Sequence, residues 1–361
     1  MAYRVAVVGA TGAVGQKVLQ VLEERSLPVR ELIPFASARS EGTPVTFRGE
    51  QLPCRGLTDE AIDGFDLAFL AAGGSVSADW APRFAGRGAI AIDKSSYWRM
   101  HADVPLVVPE INPEAAEQAL SAEGRGIIAS PNCSTMAMVM ALHPLHRESQ
   151  IEEIVVSTYQ SVSGTGRAAV DELLDQTHAL LHGTDPGPPS VYPHRIAFNA
   201  LPQVETFKDS SGYTTEERKM MSETRKVFGL DEEQLAITAT CVRIPVIHAH
   251  SEAIRIRTRE PISVERAREV LASAPGVVLA DDPDRGEYPQ PIDAADRDEV
   301  FVGRLRHDLG PRGTEHLNLW VVGDNLRKGA ATNAVQIAQL LHERGVAGAA
   351  DRAARNVAVA Q

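Results

Sequence analysis

The chain opens on the pattern of a covered strand. Residues 5–8 form a continuous, mostly β-branched apolar run, as in parallel strands buried on both faces. A glycine-spaced turn follows, and then Val14, Val18, Val21 and Leu22 recur at helical spacing. Apolar runs at 32–36, 67–71, 89–93, 106–108 and 126–129 predict further strands, with helical or loop segments between them. Strands alternating with helices predict a parallel, doubly wound sheet, that is, an N-terminal Rossmann-type domain.

Beyond residue 133 the pattern changes. Segments 153–159, 236–246 and 252–258 are rich in Val, Ile and Thr and alternate in polarity. They predict longer, half-covered strands of an antiparallel or mixed sheet. Helices are predicted at about 136–142, 166–181, 215–228, 263–274 and 329–343, with Ser263 as an N-cap, and a last strand at 316–322. Segments 183–193 and 279–298 read as surface loops, and the tail beyond 343 is Ala-rich and weakly specified. The expected architecture is α/β, with a first domain over 1–132 and 329–361 and a second α+β domain over 133–328.

Composition narrows the function. A length of 361 residues exceeds one ordinary core, which agrees with two domains. The net charge of −12 argues against a nucleic-acid partner. Cys54, Cys133 and Cys241 have no paired spacing and suit a reducing cytosol. The N-terminus runs directly into a strand without a signal peptide, and no apolar stretch approaches the ~20 residues of a membrane span. A cytoplasmic protein with no membrane partner is expected.

Cys133 is the first chemical candidate. It lies in Ser130-Pro131-Asn132-Cys133-Ser134-Thr135, between a predicted strand and a predicted helix. On the first turn of a helix the unpaired N–H groups and the partial positive charge favour a thiolate, which attacks carbonyls. A buried, inert thiol is the competing reading.

Gly9-Ala10-Thr11-Gly12-Ala13-Val14-Gly15 is the second candidate. A G-x-x-G-x-x-G turn between strand and helix provides a tight turn, close approach of a pyrophosphate to main-chain N–H groups, and close helix–strand packing. An NAD site carries Asp or Glu at the end of the second strand. Here that place holds Ser37, Ala38, Arg39 and Ser40, which suit a 2′-phosphate and so NADP; a solvated turn is the alternative.

The third candidate is a polar cluster. Residues 157–164 end a strand in polar residues and a glycine, and Arg243 sits among apolar residues of another predicted strand. An Arg so placed needs an anionic partner, either a structural carboxylate or that of a substrate. His250 and His248 are rival bases for Cys133. A metal site on these two histidines has no third ligand at sensible spacing. His143 and His146 read as surface or helix-end residues.

Together these motifs resemble the aspartate-β-semialdehyde dehydrogenases over nearly the whole chain. Phe198-Asn199-Ala200-Leu201-Pro202, Arg243-Ile244-Pro245-Val246 with His250, and Asp324-Asn325-Leu326-Arg327-Lys328-Gly329 add to the resemblance. It implies a glyceraldehyde-3-phosphate dehydrogenase-like two-domain architecture with a catalytic and dimerisation domain. It implies NADPH-dependent reductive dephosphorylation of L-aspartyl 4-phosphate to L-aspartate 4-semialdehyde, a step that feeds lysine, diaminopimelate, threonine and methionine synthesis. It also implies a homodimer, and sometimes a homotetramer.

Carried onto this sequence, the resemblance makes Cys133 the acyl acceptor and His250 its acid–base partner, and lets Gln160 orient substrate or site groups. Arg243 would hold the substrate α-carboxylate and Glu216 its ammonium, with adjacent Glu217 as a rival. Arg99 and Lys219 would bind phosphate. Gly9, Thr11, Gly12, Ala13, Val14, Gly15, Ser37, Arg39 and Ser40 would hold the cofactor, with Ser163, Gly164 and Asn325 near the nicotinamide. Blander readings are a surface Arg99 stacked on an aromatic ring and an ordinary surface ion pair between Glu216 and Lys219. Lys94 departs from the Asn of many members.

Three competing functions remain. N-acetyl-γ-glutamyl-phosphate reductases typically have Gly where this chain has Asn132. A non-catalytic paralogue of the same fold would lose the thiol, which is present. A short-chain reductase needs a Tyr-x-x-x-Lys pair, which the sequence lacks.

Overall fold

The computed structural model of the chain describes residues 2–121 and 123–346. The weakly specified tail from 347 onward, expected in the first domain, lies outside the described residues. The chain divides into two compact units, one of residues up to Asn132 and from Ala330 onward, the other Cys133–Gly329.

The first unit is built on a six-stranded, wholly parallel sheet. Its strands are β1 (Tyr3–Val8), β2 (Val29–Ala36), β5 (Arg55–Gly56), β6 (Leu67–Leu70), β7 (Ile90–Asp93) and β8 (Ile127–Ala129). The order is β5-β2-β1-β6-β7-β8. β1 is central and almost wholly buried, as its unbroken apolar run requires. A hairpin, β3 (Pro44–Phe47) and β4 (Glu50–Pro53), is inserted after β2. The helix Ala13–Glu24 buries Val18, Leu19, Val21 and Leu22, and the helix Asn333–Glu343 buries Val335, Ile337 and Leu341 in the same core.

The second unit carries a mixed six-stranded sheet of β9 (Ile151–Gln160), β10 (Ala236–Arg243), β11 (His250–Thr258), β12 (Val277–Leu279), β13 (Val300–His307) and β14 (His316–Gly323). The order is β10-β9-β11-β14-β13-β12. β9 runs parallel to β10 and antiparallel to β11, so the C-terminal ends of β9 and β10 and the N-terminal end of β11 coincide. Alternate residues of β9, from Ile154 to Gln160, are buried; the helix Cys133–Glu148 packs against β9, Thr215–Phe228 against β10, and Val264–Ala272 against β12 and β13. The opposite face carries the half-exposed Ala253, Arg255, Arg257 and Trp320.

Several expected elements differ. Residues 106–108 make only a single bridge, Leu106 to Ala129, because Pro105 and Pro109 bracket too short a run. β10 stops at Arg243, since Pro245 cannot extend the pairing. The last helix begins at Asn333 and not at 329; a π-helical turn, Arg327–Thr332, precedes it. The hairpin β3–β4 and the strands β12 and β13 were not expected. Segment 183–193 is free of helix and strand, and 279–298, after the last residue of β12, holds the turn Pro283–Arg285 under a single bridge from Asp282 to Glu287, and the short helix Pro291–Ala294.

Candidate active site

Cys133 is the first residue of the helix Cys133–Glu148 and is half-buried. The residues leading to it are pinned within the first unit. Ser130 Oγ accepts from Asn333 Nδ2 at 3.0 Å, and the Ser130 carbonyl accepts from Arg99 Nε at 2.9 Å. Arg99 Nη2 also donates to the Lys94 carbonyl at 2.7 Å, and Lys94 Nζ donates to the Pro131 carbonyl. Arg99 is buried, which disposes of the surface-stacking reading.

Within the second unit, His250 Nε2 lies 3.4 Å from Cys133 Sγ. His250 opens β11 and is fully buried, whereas His248, its rival from the sequence, is exposed. Ala249 sits between them at φ +68°, a left-handed conformation that costs a non-glycine residue about 1–2 kcal/mol. Its N–H donates to Asn325 Oδ1 at 3.0 Å, which helps hold that backbone and aims the next side chain. Asn325 Oδ1 also accepts from Ser161 Oγ (3.2 Å) and Ser163 Oγ (3.3 Å). Gly329 leaves the thiol its space: a Cβ there would sit 3.0 Å from Cys133 Cβ.

Gln160 ends β9, opposite Arg243 of β10. Its side-chain Oε1 accepts from Thr158 Oγ1 at 3.0 Å, and its Nε2 donates to Glu216 Oε1 at 3.1 Å. Glu216 is buried and lies 3.4 Å from Lys219 Nζ, which also pairs with Glu205. This is not the surface ion pair of the bland reading. Glu217 has a different task. With Thr214 it closes a capping box at the start of the helix Thr215–Phe228, and its other oxygen accepts from Cys241 N at 2.9 Å. Glu216 alone of the two is left to face the site.

Arg243 is buried and donates from Nη1 to the Ser161 carbonyl at 2.6 Å. Its guanidinium lies 5.9 Å from the Tyr192 ring centroid. Among the described residues no carboxylate pairs with it, and its buried Nε has no hydrogen-bond partner. An unmet buried donor of a charged group costs about 1–3 kcal/mol or more, which a bound carboxylate would return. Gly164 touches both groups: a Cβ there would lie 3.3 Å from Arg243 Nη1 and from His250 Nε2. Burial first, and then the Arg243 charge, hold the His250 imidazole well below its usual range, so it is neutral.

The glycine turn of the first unit is built for close approach. Gly9 has φ +81°, and a Cβ on it would lie 2.8 Å from the Ala71 carbonyl oxygen. A Cβ on Gly15 would collide with the Gly9 carbonyl oxygen, so the helix packs directly on the turn. Thr11, Gly12 and Ala13 are exposed, and the N-cap Gly12 supplies no side chain to the first-turn N–H groups of Ala13–Glu24. Val14 is half-buried behind them. Ser37 and Arg39 are exposed in and beside the turn Ala38–Ser40 that follows β2. These features fit a dinucleotide, with its pyrophosphate on the helix N-terminus.

Comparison with known proteins decides the family. Residues 4–119 match the model of a semialdehyde dehydrogenase NAD-binding domain, and residues 142–328 that of a semialdehyde dehydrogenase dimerisation domain. Aspartate-semialdehyde dehydrogenase of Aquifex aeolicus is 53% identical over 96% of this chain and 100% of its own length. The chain belongs to the aspartate-semialdehyde dehydrogenase family. A crystal structure of aspartate semialdehyde dehydrogenase II from Vibrio cholerae matches with a TM-score of 0.90 at 44% identity, over 95% of this chain and 99% of that one; the same protein was also solved in complex with ASA. The Candida albicans enzyme, solved with NADP, matches with a TM-score of 0.71 at 25% identity, over 95% of this chain and 99% of that one. The first unit of this family member is thus an NAD(P)-binding domain.

Three features of this dehydrogenase were not singled out from sequence. Ser161 lies against His250, and Ala249 adopts its left-handed turn. The third is Glu252, two residues after His250 on the same face of β11 and opposite Thr158. It is wholly buried, and neither carboxyl oxygen has a hydrogen-bond partner among the described residues. An acidic residue in a strand of alternating apolar positions was the available signal. His143 and His146, expected at the surface or a helix end, lie half-buried at that end, where the His146 ring stacks on Phe228. No group of three metal-ligating side chains occurs among the described residues.

Glu252 makes a prediction about stability. Burial, and then the charge of Glu216, push its carboxyl well above the usual glutamate range; Thr158 lies opposite it and Cys241 is a further polar neighbour. The folded protein therefore keeps a proton that the unfolded chain releases near pH ~4.3. Between those two values the folded state binds more protons, so stability falls as pH rises. Glu252→Gln removes this penalty. Its melting temperature is expected to gain on that of the native protein as pH rises from about 4 towards neutrality. Thermal unfolding across pH checks this, and a difference independent of pH contradicts it.

Proposed function

We propose that this protein interconverts L-aspartyl 4-phosphate and L-aspartate 4-semialdehyde with NADPH, through a thioester on Cys133. The observation that carries the reading is the pairing of Cys133 Sγ with His250 Nε2 at a helix N-terminus, next to an Arg whose buried guanidinium pairs with no carboxylate among the described residues. Direct displacement of phosphate by hydride is unfavourable, so a nucleophile divides the step in two. Cys133 attacks the acyl carbon, the C–O bond to phosphate breaks, and a thioester remains. The nicotinamide, when bound, supplies the hydride that reduces it.

Arg243 holds the substrate α-carboxylate, Glu216 its ammonium, and Gln160 orients Glu216 through their hydrogen bond. Lys219 and Arg99 attract the phosphate. Arg99 has a second task, since its hydrogen bond to the Ser130 carbonyl shapes the turn that leads into Cys133. Ser163, Gly164 and Asn325 border the nicotinamide, and Gly9 to Gly15 hold the pyrophosphate. The dimerisation-domain match supports a homodimer, and the sparse thiols suit a cytoplasmic setting.

The deciding assay is phosphate-dependent NADP reduction. Activity with aspartate semialdehyde, and none with the N-acetylglutamate analogue, is the expected outcome; the reverse would make the protein the glutamyl enzyme. The exposed Arg39 and Ser37 support NADP over NAD. Arg39→Ala is expected to lower kcat/KM for NADP by about 10–100-fold, the worth of a charge-assisted hydrogen bond, and to leave that for NAD unchanged. Equal losses with both cofactors would remove the 2′-phosphate assignment.

A further inference from the structure

Residues 183–199 contain neither helix nor strand, yet they are fastened to the helix Arg167–Leu181 at two points. Glu172 Oε2 accepts from Ser190 N at 2.6 Å, from Ser190 Oγ at 2.7 Å and from Val191 N at 2.8 Å. One turn on, the buried Gln176 accepts at Oε1 from Ile196 N (3.0 Å) and Ala197 N (3.1 Å). Residues four apart share one face of a helix, so the two side chains act as a single clamp. Burial works to raise the Glu172 carboxyl, but the donors of Ser190, Val191 and Tyr192 outweigh it and hold the group below its usual range. Ile196 and Ala197 also enter a small apolar core with Val162, Leu173 and Leu201.

Between the two fastenings the segment carries Tyr192. Its hydroxyl donates to Thr165 Oγ1 at 3.0 Å, in the turn Val162–Thr165 that follows β9. The ring is thus tied at both ends, and it lies over Arg243 with 5.9 Å between its centroid and the central guanidinium carbon. That separation is within the reach of a cation–π contact. Arg243 has need of such a neighbour. Its guanidinium makes one hydrogen bond among the described residues, from Nη1 to the Ser161 carbonyl. One hydrogen bond fixes a point of the group and not its plane. A carboxylate is gripped at the edge of a guanidinium by two parallel N–H groups, so the tilt of the plane decides whether both can reach it. A ring over the face sets the tilt and leaves the edge open.

We propose that Tyr192 is a positioning residue for the substrate carboxylate: its ring, held by the clamp of Glu172 and Gln176, sets the plane of the Arg243 guanidinium. The proposal rests on the reading in which Arg243 holds the substrate α-carboxylate. Tyr192 acts through Arg243 and touches no reacting atom, so it bears on binding and not on the chemical step.

The test is steady-state kinetics of the full chain with aspartate semialdehyde, NADP and phosphate. Tyr192→Leu is expected to raise KM for aspartate semialdehyde about tenfold, the worth of a desolvated cation–π contact, and to leave kcat within about threefold of native. Tyr192→Phe keeps the ring and gives up only the bond to Thr165, so it is expected to restore most of the native KM. A native KM in Tyr192→Leu overturns the proposal, as does a loss confined to kcat or a Phe variant as impaired as the Leu variant. If Tyr192→Leu does not fold, Tyr192→Met takes its place, since Met fills space without an aromatic face. A double-mutant cycle provides an independent reading. In an Arg243→Leu background, Tyr192→Leu is expected to change kcat/KM by less than about twofold, because the group it orients is gone. A further tenfold loss there would make Tyr192 a support of the fold alone and overturn the proposal. Native protein inactive on aspartate semialdehyde would refute the proposed function, and a native KM in Arg243→Leu would take the carboxylate away from Arg243; either result takes this proposal with it. A failure confined to the Tyr192 variants refutes this proposal alone.

Discussion

Replacement of Cys133 by alanine is expected to lower kcat on the order of 10⁴-fold or more, the scale seen when a nucleophile is removed from a covalent mechanism. The variant should keep its fold. Cys133 is half-buried at a helix start, and Arg99, Lys94 and Asn333 hold the turn before it through the Ser130 and Pro131 carbonyls and the Ser130 hydroxyl. Thermal unfolding near the native temperature together with lost activity is therefore the expected pair of results. Mass spectrometry sharpens the outcome: native enzyme offered aspartyl phosphate without NADPH should gain the mass of an aspartyl group on the peptide that contains Cys133. Undiminished turnover in Cys133→Ala would refute the thioester.

The second large effect concerns Arg243. Arg243→Leu is expected to lower kcat/KM for aspartate semialdehyde by about 10²–10³-fold, since loss of one partner of a buried ion pair costs about 3–5 kcal/mol. Most of the loss should fall on KM if the contact is made equally in ground and transition states. Arg243→Lys should recover little. A Lys keeps the charge but has no planar fork to grip a carboxylate while also reaching the Ser161 carbonyl. An assay that finds native kcat/KM in the Leu variant, with the protein still folded, would remove Arg243 from the substrate site.

How much of this was legible in the chain depends on the range of the interaction. β1 and the glycine turn were readable because a fully buried parallel strand writes an unbroken apolar run, and because the turn needs glycines within seven residues. The thiol at a helix start was readable for the same local reason. The helix Thr215–Phe228 was placed correctly from its periodicity, yet its two adjacent glutamates could not be told apart. Only the folded structure separates them: Glu217 bonds to Thr214 and to Cys241 N, and Glu216 to Gln160. β13 was missed because its Gly303 and Arg304–Arg306 interrupt the alternation at an irregular pairing with β14. Residues 106–108 were misread because an apolar run of that length looks the same whether or not a neighbour pairs with it.

The three thiols have a practical consequence. Cys54 is sealed in the core of the first unit and Cys241 in the second, and burial pushes both thiols up, away from the reactive thiolate form. Cys133 alone is partly open. Once it is blocked, each remaining cysteine can be alkylated only when the unit around it opens. The protein thus carries one intrinsic reporter for each half of its architecture, and its folding can be followed half by half without adding a label.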